Sequence, residues 1–186
     1  MTSPAESIQI ENVVATTGIN QELDLSTLET DLPTADYRPD EFPGIIYRIE
    51  NPPAVVLIFQ SGKLVCTGAK SVSDVTSALR DTFDAFRDLD IRVKNTPEIT
   101  VQNMVSTAEL DQRLNLHSLA VGLGLEKTEY EPEQFPGLVY RLDEPEGVVL
   151  FFGSGNVILT GITTITETKH LLEEVTTRLT DLELLN

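Results

Sequence analysis

Phe42–Arg48 reads FPGIIYR, and the same pattern returns 93 residues later as FPGLVYR at Phe135–Arg141. The match continues along the chain, because VVLIFQSGKLVCTG at Val55–Gly68 returns as VVLFFGSGNVILTG at Val148–Gly161. Two stretches of this length, repeated at one fixed distance, indicate an internal duplication.

The duplication covers nearly the whole chain. IQIENVVAT at Ile8–Thr16 returns as ITVQNMVST at Ile99–Thr107, a distance of 91 residues, so the second copy carries two additional residues in its middle. The predicted organisation is an N-terminal tail at 1–7, a first repeat at 8–91, a linker at 92–98 and a second repeat at 99–186. A period of about 90 residues is too long for a solenoid and predicts two halves of one pseudo-twofold molecule.

The composition is that of a globular protein. With 186 residues, 40% of them hydrophobic, the chain is long enough to bury a core. The longest apolar run, Ala54–Phe59, has six residues, and the start lacks the basic and apolar segments of a signal peptide, so we expect an intracellular protein without membrane contact. The single cysteine, Cys66, lies in an apolar run, which favours a buried side chain over a metal ligand.

No sequence pattern predicts catalysis. The chain has no phosphate-binding loop, nucleophile elbow or metal-ligand spacing. His117 and His170 stand at helix positions without a nearby cysteine or spaced carboxylate pair, and we interpret them as surface or hydrogen-bonded side chains. We therefore expect no enzyme, no cofactor and no metal site.

The net charge of −17, with only five lysines, is the second unusual feature of the chain. Such an excess of carboxylates usually argues against nucleic acid as a ligand. One interpretation is a protein that binds basic partners. The other is adaptation to a cytoplasm of high salt, where the Debye length falls to roughly 3 Å at 1 M and an acidic surface stays hydrated.

Each copy predicts the same order of elements, which together define an α+β protein. In the first copy, strands are predicted at 8–16, 35–38, 42–49, 54–61 and 63–67, a short helix at 23–31, and a long helix capped by Ser71 or Ser73. Apolar side chains at helical spacing indicate the long helix, among them Val75, Leu79 and Phe83.

Alternation along the predicted strands separates two faces of a sheet. The core side is predicted to hold Val13, Ile45, Tyr47, Ile58, Leu64 and Cys66. The opposite side is also apolar, and in neither copy does it contain an Asp or Glu, in a chain with 30 of them. Such a face predicts a binding surface, unless a dimer or a second layer covers it as ordinary core. Arg48, Lys63 and Arg141 would be costly inside a dry core and favour a polyanion as the ligand.

These residues carry a resemblance to the TATA-box-binding proteins of the archaeal type. Each copy has an Asn in its first strand, an FPG that opens the third, a Phe-x-Ser-Gly hairpin and a following Thr-Gly, and the likeness covers Ile8–Leu185. The resemblance implies two pseudo-symmetric repeats that form one curved, saddle-shaped sheet of ten antiparallel strands. It also implies four helices on the convex face and DNA under the concave face.

The resemblance implies roles for the residues of the open side. Phe42 with Phe59, and Phe135 with Phe152, correspond to apolar wedges that enter the minor groove at the two ends of the DNA site. The central hydrogen-bond donors correspond to Asn12, Asn103, Thr67 and Thr160. Apolar contacts to the groove correspond to Val14, Val65, Val105 and Ile158, and the DNA-binding set also includes Leu57 and Leu150. Phosphate contacts correspond to Arg48, Arg141, Lys63, Lys70, Ser61 and Ser154.

The chain departs from the family pattern at two positions of its second repeat. Asn156 and Thr163 stand where most relatives carry lysine, so the second repeat offers fewer phosphate contacts. Because salt would screen repulsion between acidic rims and phosphate, we expect DNA affinity to rise with salt over part of the range.

The resemblance also implies partners. Glu131, Pro132 and Glu133 occupy the loop that in relatives contacts transcription factor B, a basic protein that leads to RNA polymerase, although they could be merely solvated acids. The implied function is that of a general transcription initiation factor that binds and bends TATA-box promoter DNA, in the cytoplasm at the nucleoid. Two alternatives are the same fold serving as a non-catalytic module for another ligand, RNA or a basic protein, and an acidic mimic of DNA.

Overall fold

The first repeat folds into five strands and two helices. The computed structural model describes residues 4–95 and 97–185 of the chain. In the first repeat the elements are β1 Gln9–Gly18, α1 Leu25–Asp31, β2 Ala35–Tyr37, β3 Gly44–Glu50, β4 Pro53–Phe59, β5 Lys63–Ala69 and α2 Val72–Asp88. Each predicted element is present, and its ends lie within two residues of the predicted ones.

The second repeat has the same elements in the same order. They are β6 Thr100–Glu109, α3 Leu116–Leu123, β7 Thr128–Glu129, β8 Leu138–Asp143, β9 Glu146–Phe151, β10 Asn156–Ile162 and α4 Ile165–Asp181. A short 3₁₀ helix, Pro4–Ser7, precedes β1.

The strands form one antiparallel sheet in the order β2-β3-β4-β5-β1-β6-β10-β9-β8-β7. The second half of this order repeats the first half in reverse, as expected for two copies of one unit. The predicted α+β fold of two repeats, ten antiparallel strands and four α-helices is confirmed within the described residues.

The long helices begin at side chains that cap their first turn. Ser71 accepts a hydrogen bond from the Asp74 amide at 3.0 Å, which identifies the cap of α2 that the sequence left open between two serines. In α4, Thr164 and Glu167 form a reciprocal capping box, each side chain accepting from the backbone of the other. Caps of this kind satisfy amides that have no partner inside the helix.

Each repeat buries one face of its strands under its long helix. In the first repeat Val13, Ile45, Ile58, Leu64 and Cys66 are fully buried, and Tyr47 is half-buried, which confirms the predicted core side. In the second repeat the strands and α4 share one apolar cluster, to which Leu138, Tyr140, Phe151, Leu159, Leu171 and Val175 belong. The other face of the strands is thereby left for function.

Contacts within the chain define two compact units. One holds 12–102, and the other holds 103 to the end together with the residues before 12. The sequence-based boundaries of the tail, the two repeats and the linker stay predictions, and of these segments residues 1–3, 96 and 186 lie outside the described residues. None of the helices described has the length and apolar character needed to cross a membrane.

Candidate nucleic-acid interface

In the first repeat, the strand side opposite the core is partly open to solvent. Its central side chains, Asn12, Val14, Phe42, Leu57, Phe59, Val65 and Thr67, are half-buried. At its margins Arg48, Ser61, Lys63 and Lys70 are exposed. Strand pairing places Arg48, Leu57, Phe59, Lys63, Val65 and Thr67 on one side, which we call the open side, and Asn12 and Phe42 contact Thr67 and Phe59 there. Ser61 and Lys70 lie just beyond the ends of these strands.

The second repeat has a matching open side. Asn103, Val105, Leu150, Phe152, Ile158 and Thr160 are half-buried, while Phe135, Arg141 and Ser154 are exposed. Asn156, which stands 93 residues after Lys63 of the first repeat, is exposed as well. Large apolar side chains that remain partly accessible in both repeats are typical of a binding surface.

An asparagine in the first repeat is held in one orientation by its neighbours. The Gly68 amide donates to Asn12 Oδ1 at 2.7 Å, so the oxygen end of the side-chain amide is fixed against the backbone. Asn12 Nδ2 lies 3.2 Å from Thr67 Oγ1 and donates to it. Because a side-chain amide has two N–H donors, the second one is available for a ligand.

The second repeat reproduces this arrangement atom for atom. The Gly161 amide donates to Asn103 Oδ1 at 2.9 Å, and Asn103 Nδ2 donates to Thr160 Oγ1 at 3.1 Å. The pairing register shifts next to each of these glycines, as it does at a β-bulge, and both have positive φ, 83° at Gly68 and 78° at Gly161. A bulge re-aims backbone groups, and glycine adopts this φ without steric cost, which explains the repeated Thr-Gly of the sequence.

Two pairs of phenylalanine rings lie on the open sides. The ring centroids of Phe42 and Phe59 are 5.7 Å apart, and those of Phe135 and Phe152 are 5.9 Å apart. A Cβ atom added at Gly137 would approach Phe135 to 2.7 Å, and one added at Gly44 would approach the Ile58 carbonyl oxygen to 2.9 Å. The glycine of each FPG therefore provides the space that lets the rings pack across the strand.

Carboxylates reach the open sides, contrary to the prediction that these contain none. Asp36 pairs directly with Ile46 across β2 and β3, and Glu129 pairs with Val139 across β7 and β8. Directly paired residues of neighbouring strands project to the same face, so both acids lie on the open side. In addition, Glu11 Oε1 accepts a hydrogen bond from Thr107 Oγ1 at 3.1 Å. Sequence alternation did not reveal Asp36 and Glu129, because β2 and β7 are too short to show the two-residue period of a strand.

The amide counterpart of this last contact lies in the compact unit that holds residues 12–102. Gln102 Nε2 donates to Thr16 Oγ1 at 3.0 Å, and Gln102 and Thr16 are the equivalents, 91 residues away, of Glu11 and Thr107. The two open sides therefore share their geometry but differ in charge at this position. No sequence pattern marked either contact as part of the site.

The loop predicted to contact a protein partner is accessible. Glu131, Pro132 and Glu133 are all exposed, and the Glu131 carbonyl oxygen accepts from the Phe135 amide at 2.9 Å, which closes the turn. The equivalent loop of the first repeat starts with Arg38, which forms ion pairs with Asp36 and Glu41. The two loops thus differ in charge on the same backbone turn.

The remaining sequence candidates lie away from the open sides. His117 and His170 are exposed on helices. Cys66 is buried, and burial raises the pKa of its thiol to about 11, which makes the thiolate scarce near neutral pH. Across the described residues, no group of His, Cys, Asp or Glu side chains is arranged to hold a metal ion.

The fold places the chain among duplicated α+β proteins whose two repeats contribute to one antiparallel sheet. A family model described as "Transcription factor TFIID (or TATA-binding protein, TBP)" matches residues 7–89 and 98–182. The chain belongs to the TATA-binding protein family. The resemblance drawn from the repeated motifs is confirmed, and since these proteins are non-catalytic transcription factors, so is the expectation that the chain is not an enzyme.

Individual relatives match over the full length. The chain is 56% identical to TATA-box-binding protein E of Halobacterium salinarum and 58% identical to TATA-box-binding protein 2 of Haloferax volcanii, with 100% of each chain covered in both cases. Among solved structures, Methanococcus jannaschii TBP superposes with a TM-score of 0.84 at 44% identity, covering 94% of this chain and 99% of that one. These relatives agree with the archaeal type that the resemblance implied and with the high-salt interpretation of the acidic composition.

Proposed function

We propose that the protein initiates transcription by binding the minor groove of A·T-rich promoter DNA through the open sides of both repeats and bending it. The observation that carries this proposal is the fixed orientation of Asn12 and Asn103. Both side-chain amides have their oxygen held by a glycine amide, so both present a nitrogen donor outward.

Side-chain donors that face outward fit the minor groove of A·T-rich DNA. In the minor groove, A·T and T·A pairs present only the acceptors adenine N3 and thymine O2, whereas a G·C pair adds the guanine amino group, which is a donor. An outward Asn nitrogen would face a second donor there. The apolar side chains around each Asn, such as Val14 and Val105, would also contact that amino group. Both effects favour A·T-rich DNA.

The two ring pairs supply a means of bending. Apolar side chains that enter between base steps unstack them and kink the duplex, and TATA-binding proteins are themselves an established example of this mode. Phe135 has 39% of its surface exposed, which a side chain that served only the core would not need. We propose that each pair, Phe42 with Phe59 and Phe135 with Phe152, produces one kink.

Charged and hydroxyl side chains at the margins of the open sides are proposed to contact phosphates. Arg48, Lys63 and Ser61 are exposed in the first repeat, as are Arg141 and Ser154 in the second. Such contacts position a protein on DNA without reading its sequence.

The proposal is tested by duplex bending. Fluorescence transfer between the ends of a TATA-containing oligonucleotide, and of a G·C-substituted control, would be measured in about 1–2 M KCl. The protein should bend only the TATA duplex, and Phe42→Ala with Phe59→Ala should reduce the bend. A matched control is Val72→Ala, which removes an exposed apolar side chain from α2. Equal bending of both duplexes, or none, would overturn the proposal and direct attention to RNA or a basic protein as the ligand.

We further propose that the loop of Glu131, Pro132 and Glu133 recruits transcription factor B, and through it RNA polymerase, to the promoter at the nucleoid. The exposure of both carboxylates supports a contact with a basic protein. Glu131→Arg with Glu133→Arg should abolish the ternary complex with transcription factor B on DNA while sparing binary DNA binding.

The first repeat offers a control for this recruitment. Asp40 is the equivalent of Glu133, 93 residues earlier, and is exposed on the matching loop. Asp40→Arg should leave the ternary complex intact. Loss of DNA binding and of the ternary complex together in the double variant would count against the assignment.

A further inference from the structure

The second open side has fewer cationic side chains than the first. Residues 93 positions apart are equivalent, so Arg48, Lys63 and Lys70 correspond to Arg141, Asn156 and Thr163. Two of the three cations are thus replaced by neutral side chains. Thr163 is also hydrogen-bonded within its own repeat, because its amide and its hydroxyl both donate to Glu167 Oε2, at 3.1 and 3.2 Å.

The one cation that remains in the second repeat is paired with an acid. Arg141 Nη2 and Nε both lie 3.3 Å from Glu129 Oε1, although the two side chains are 59% and 67% exposed. The equivalent arginine, Arg48, forms no ion pair within the described residues. The equivalent acid, Asp36, is directed instead to Arg38 at 3.1 Å.

This difference follows from the sequence at the edge strands. Glu129 is one methylene longer than Asp36, and Val139, its partner across the strands, is two residues before Arg141 on the same side of β8. The carboxylate therefore reaches the arginine diagonally across the two strands, a distance that long side chains span. In the first repeat Arg38, two residues after Asp36, donates a hydrogen bond to this shorter carboxylate instead.

We infer that the two repeats hold the DNA backbone unequally, and that Glu129 sets the difference by restraining Arg141. This inference rests on the proposed function. The first repeat supplies most of the phosphate contacts through Arg48 and Lys63, while the second repeat holds the duplex mainly through its apolar and amide groups. Glu129 is a positioning residue, since it acts on the phosphate through the arginine.

The test compares two carboxylates at equivalent positions. Affinity for a TATA duplex would be measured by fluorescence anisotropy at several KCl concentrations for the full chain and for Glu129→Gln and Asp36→Asn. Each variant loses one negative charge from the same place in its own repeat, so the general effect of net charge is common to both.

Only Glu129→Gln should release Arg141 from its ion pair. Glu129→Gln should raise affinity by about two- to five-fold, the range expected when an exposed ion pair is lost and its arginine becomes available. It should also make the slope of log K against log [KCl] more negative by up to about 0.9, as one additional phosphate contact requires. Adding Arg141→Gln to Glu129→Gln should remove both changes.

Two outcomes separate this inference from the proposed function. An equal response to Glu129→Gln and Asp36→Asn, or a gain that survives Arg141→Gln, would overturn the inference while leaving DNA binding established. Failure of the wild-type chain to bind the TATA duplex at every KCl concentration would overturn the proposed function and the inference with it.

Discussion

Asn103 and Gly161 are joined by a hydrogen bond of 2.9 Å from the glycine amide to Asn103 Oδ1, and this bond determines which end of the side-chain amide faces outward. If the amide were turned over, its NH₂ group would oppose the Gly161 N–H and two donors would meet. The backbone thus fixes a donor on the open side before any ligand arrives. Preorganisation of this kind reduces the entropy lost on binding.

The fixed donor leads to a prediction for Asn103→Asp. The carboxylate still accepts from Gly161, so the fold is kept, but it has no donor and carries a negative charge toward the acceptors of the minor groove. A buried acceptor left without its donor costs about 1–3 kcal/mol, so affinity for the TATA duplex should fall at least about 5-fold. Anisotropy titration measures this loss.

Asn115→Asp is the control for this charge change. Asn115 caps α3 by accepting from the Ser118 amide at 3.1 Å, a role that aspartate fills equally well, and it lies outside the open side. DNA affinity should change little in this variant. Similar losses in the two variants would mean that net charge, and not the donor, governs binding.

The sequence predicts most of this site but misses its acids. Alternation along β4 and β5 is strong enough to separate Leu57 and Val65 from Ile58 and Leu64, because these strands have seven residues each. β7 has only two residues, and the face on which Glu129 lies follows only from its pairing with Val139. The contact of Glu11 with Thr107 joins residues 96 apart, and no local pattern reports it.

A second prediction concerns stability. Ser106 Oγ is the one buried side-chain N or O atom in the described part of the chain that has no hydrogen-bond partner, and its equivalent in the first repeat, 91 residues earlier, is Ala15. A buried hydroxyl without a partner is destabilising, so Ser106→Ala should raise the free energy of unfolding by about 1 kcal/mol. Ala15→Ser should lower it by a similar amount. Guanidinium denaturation at fixed KCl measures both, and a loss of stability in Ser106→Ala would show that the hydroxyl is in fact bonded.

A third prediction uses the thiol of Cys66. Burial raises its pKa from the ordinary 9.0 to about 11, so between these values the unfolded chain releases the proton while the folded chain retains it. The unfolded state then binds fewer protons, and the free energy of unfolding must fall as pH rises from about 9 to about 11. Below about pH 9 both states are protonated and this group has no effect.

The Cys66 effect is isolated with a residue that does not titrate. Burial and the charge of Asp81 also raise the pKa of Tyr47, so alkaline destabilisation of the wild type alone has two sources. Cys66→Val keeps a buried apolar side chain and removes the thiol. Between about pH 8 and pH 10.5, the wild type should lose more unfolding free energy than Cys66→Val. Parallel curves for the two proteins would place the thiol in a solvated site.

The last prediction concerns the orientation of the protein on DNA. If the two repeats hold phosphates unequally, one orientation should be preferred. An A-tract has a narrow minor groove with enhanced negative potential. Arg48 and Lys63 form no ion pair with any residue that the structure describes, so the first repeat should prefer the end of the site that carries the A-tract. Ser77 and His170 provide matched exposed positions on α2 and α4 for a donor dye, 93 residues apart. Native Cys66 is buried and should not react with the dye.

The duplex for this experiment carries an A-tract at one end of the site and alternating T-A steps at the other, with an acceptor dye beyond the A-tract. Energy transfer should be higher from Ser77→Cys than from His170→Cys. Because Glu129→Gln releases the arginine of the second repeat, adding it to both labelled proteins should narrow the difference. Equal transfer from the two dyes before that change would show that the charge difference does not orient the protein, and orientation would then depend on a partner such as transcription factor B.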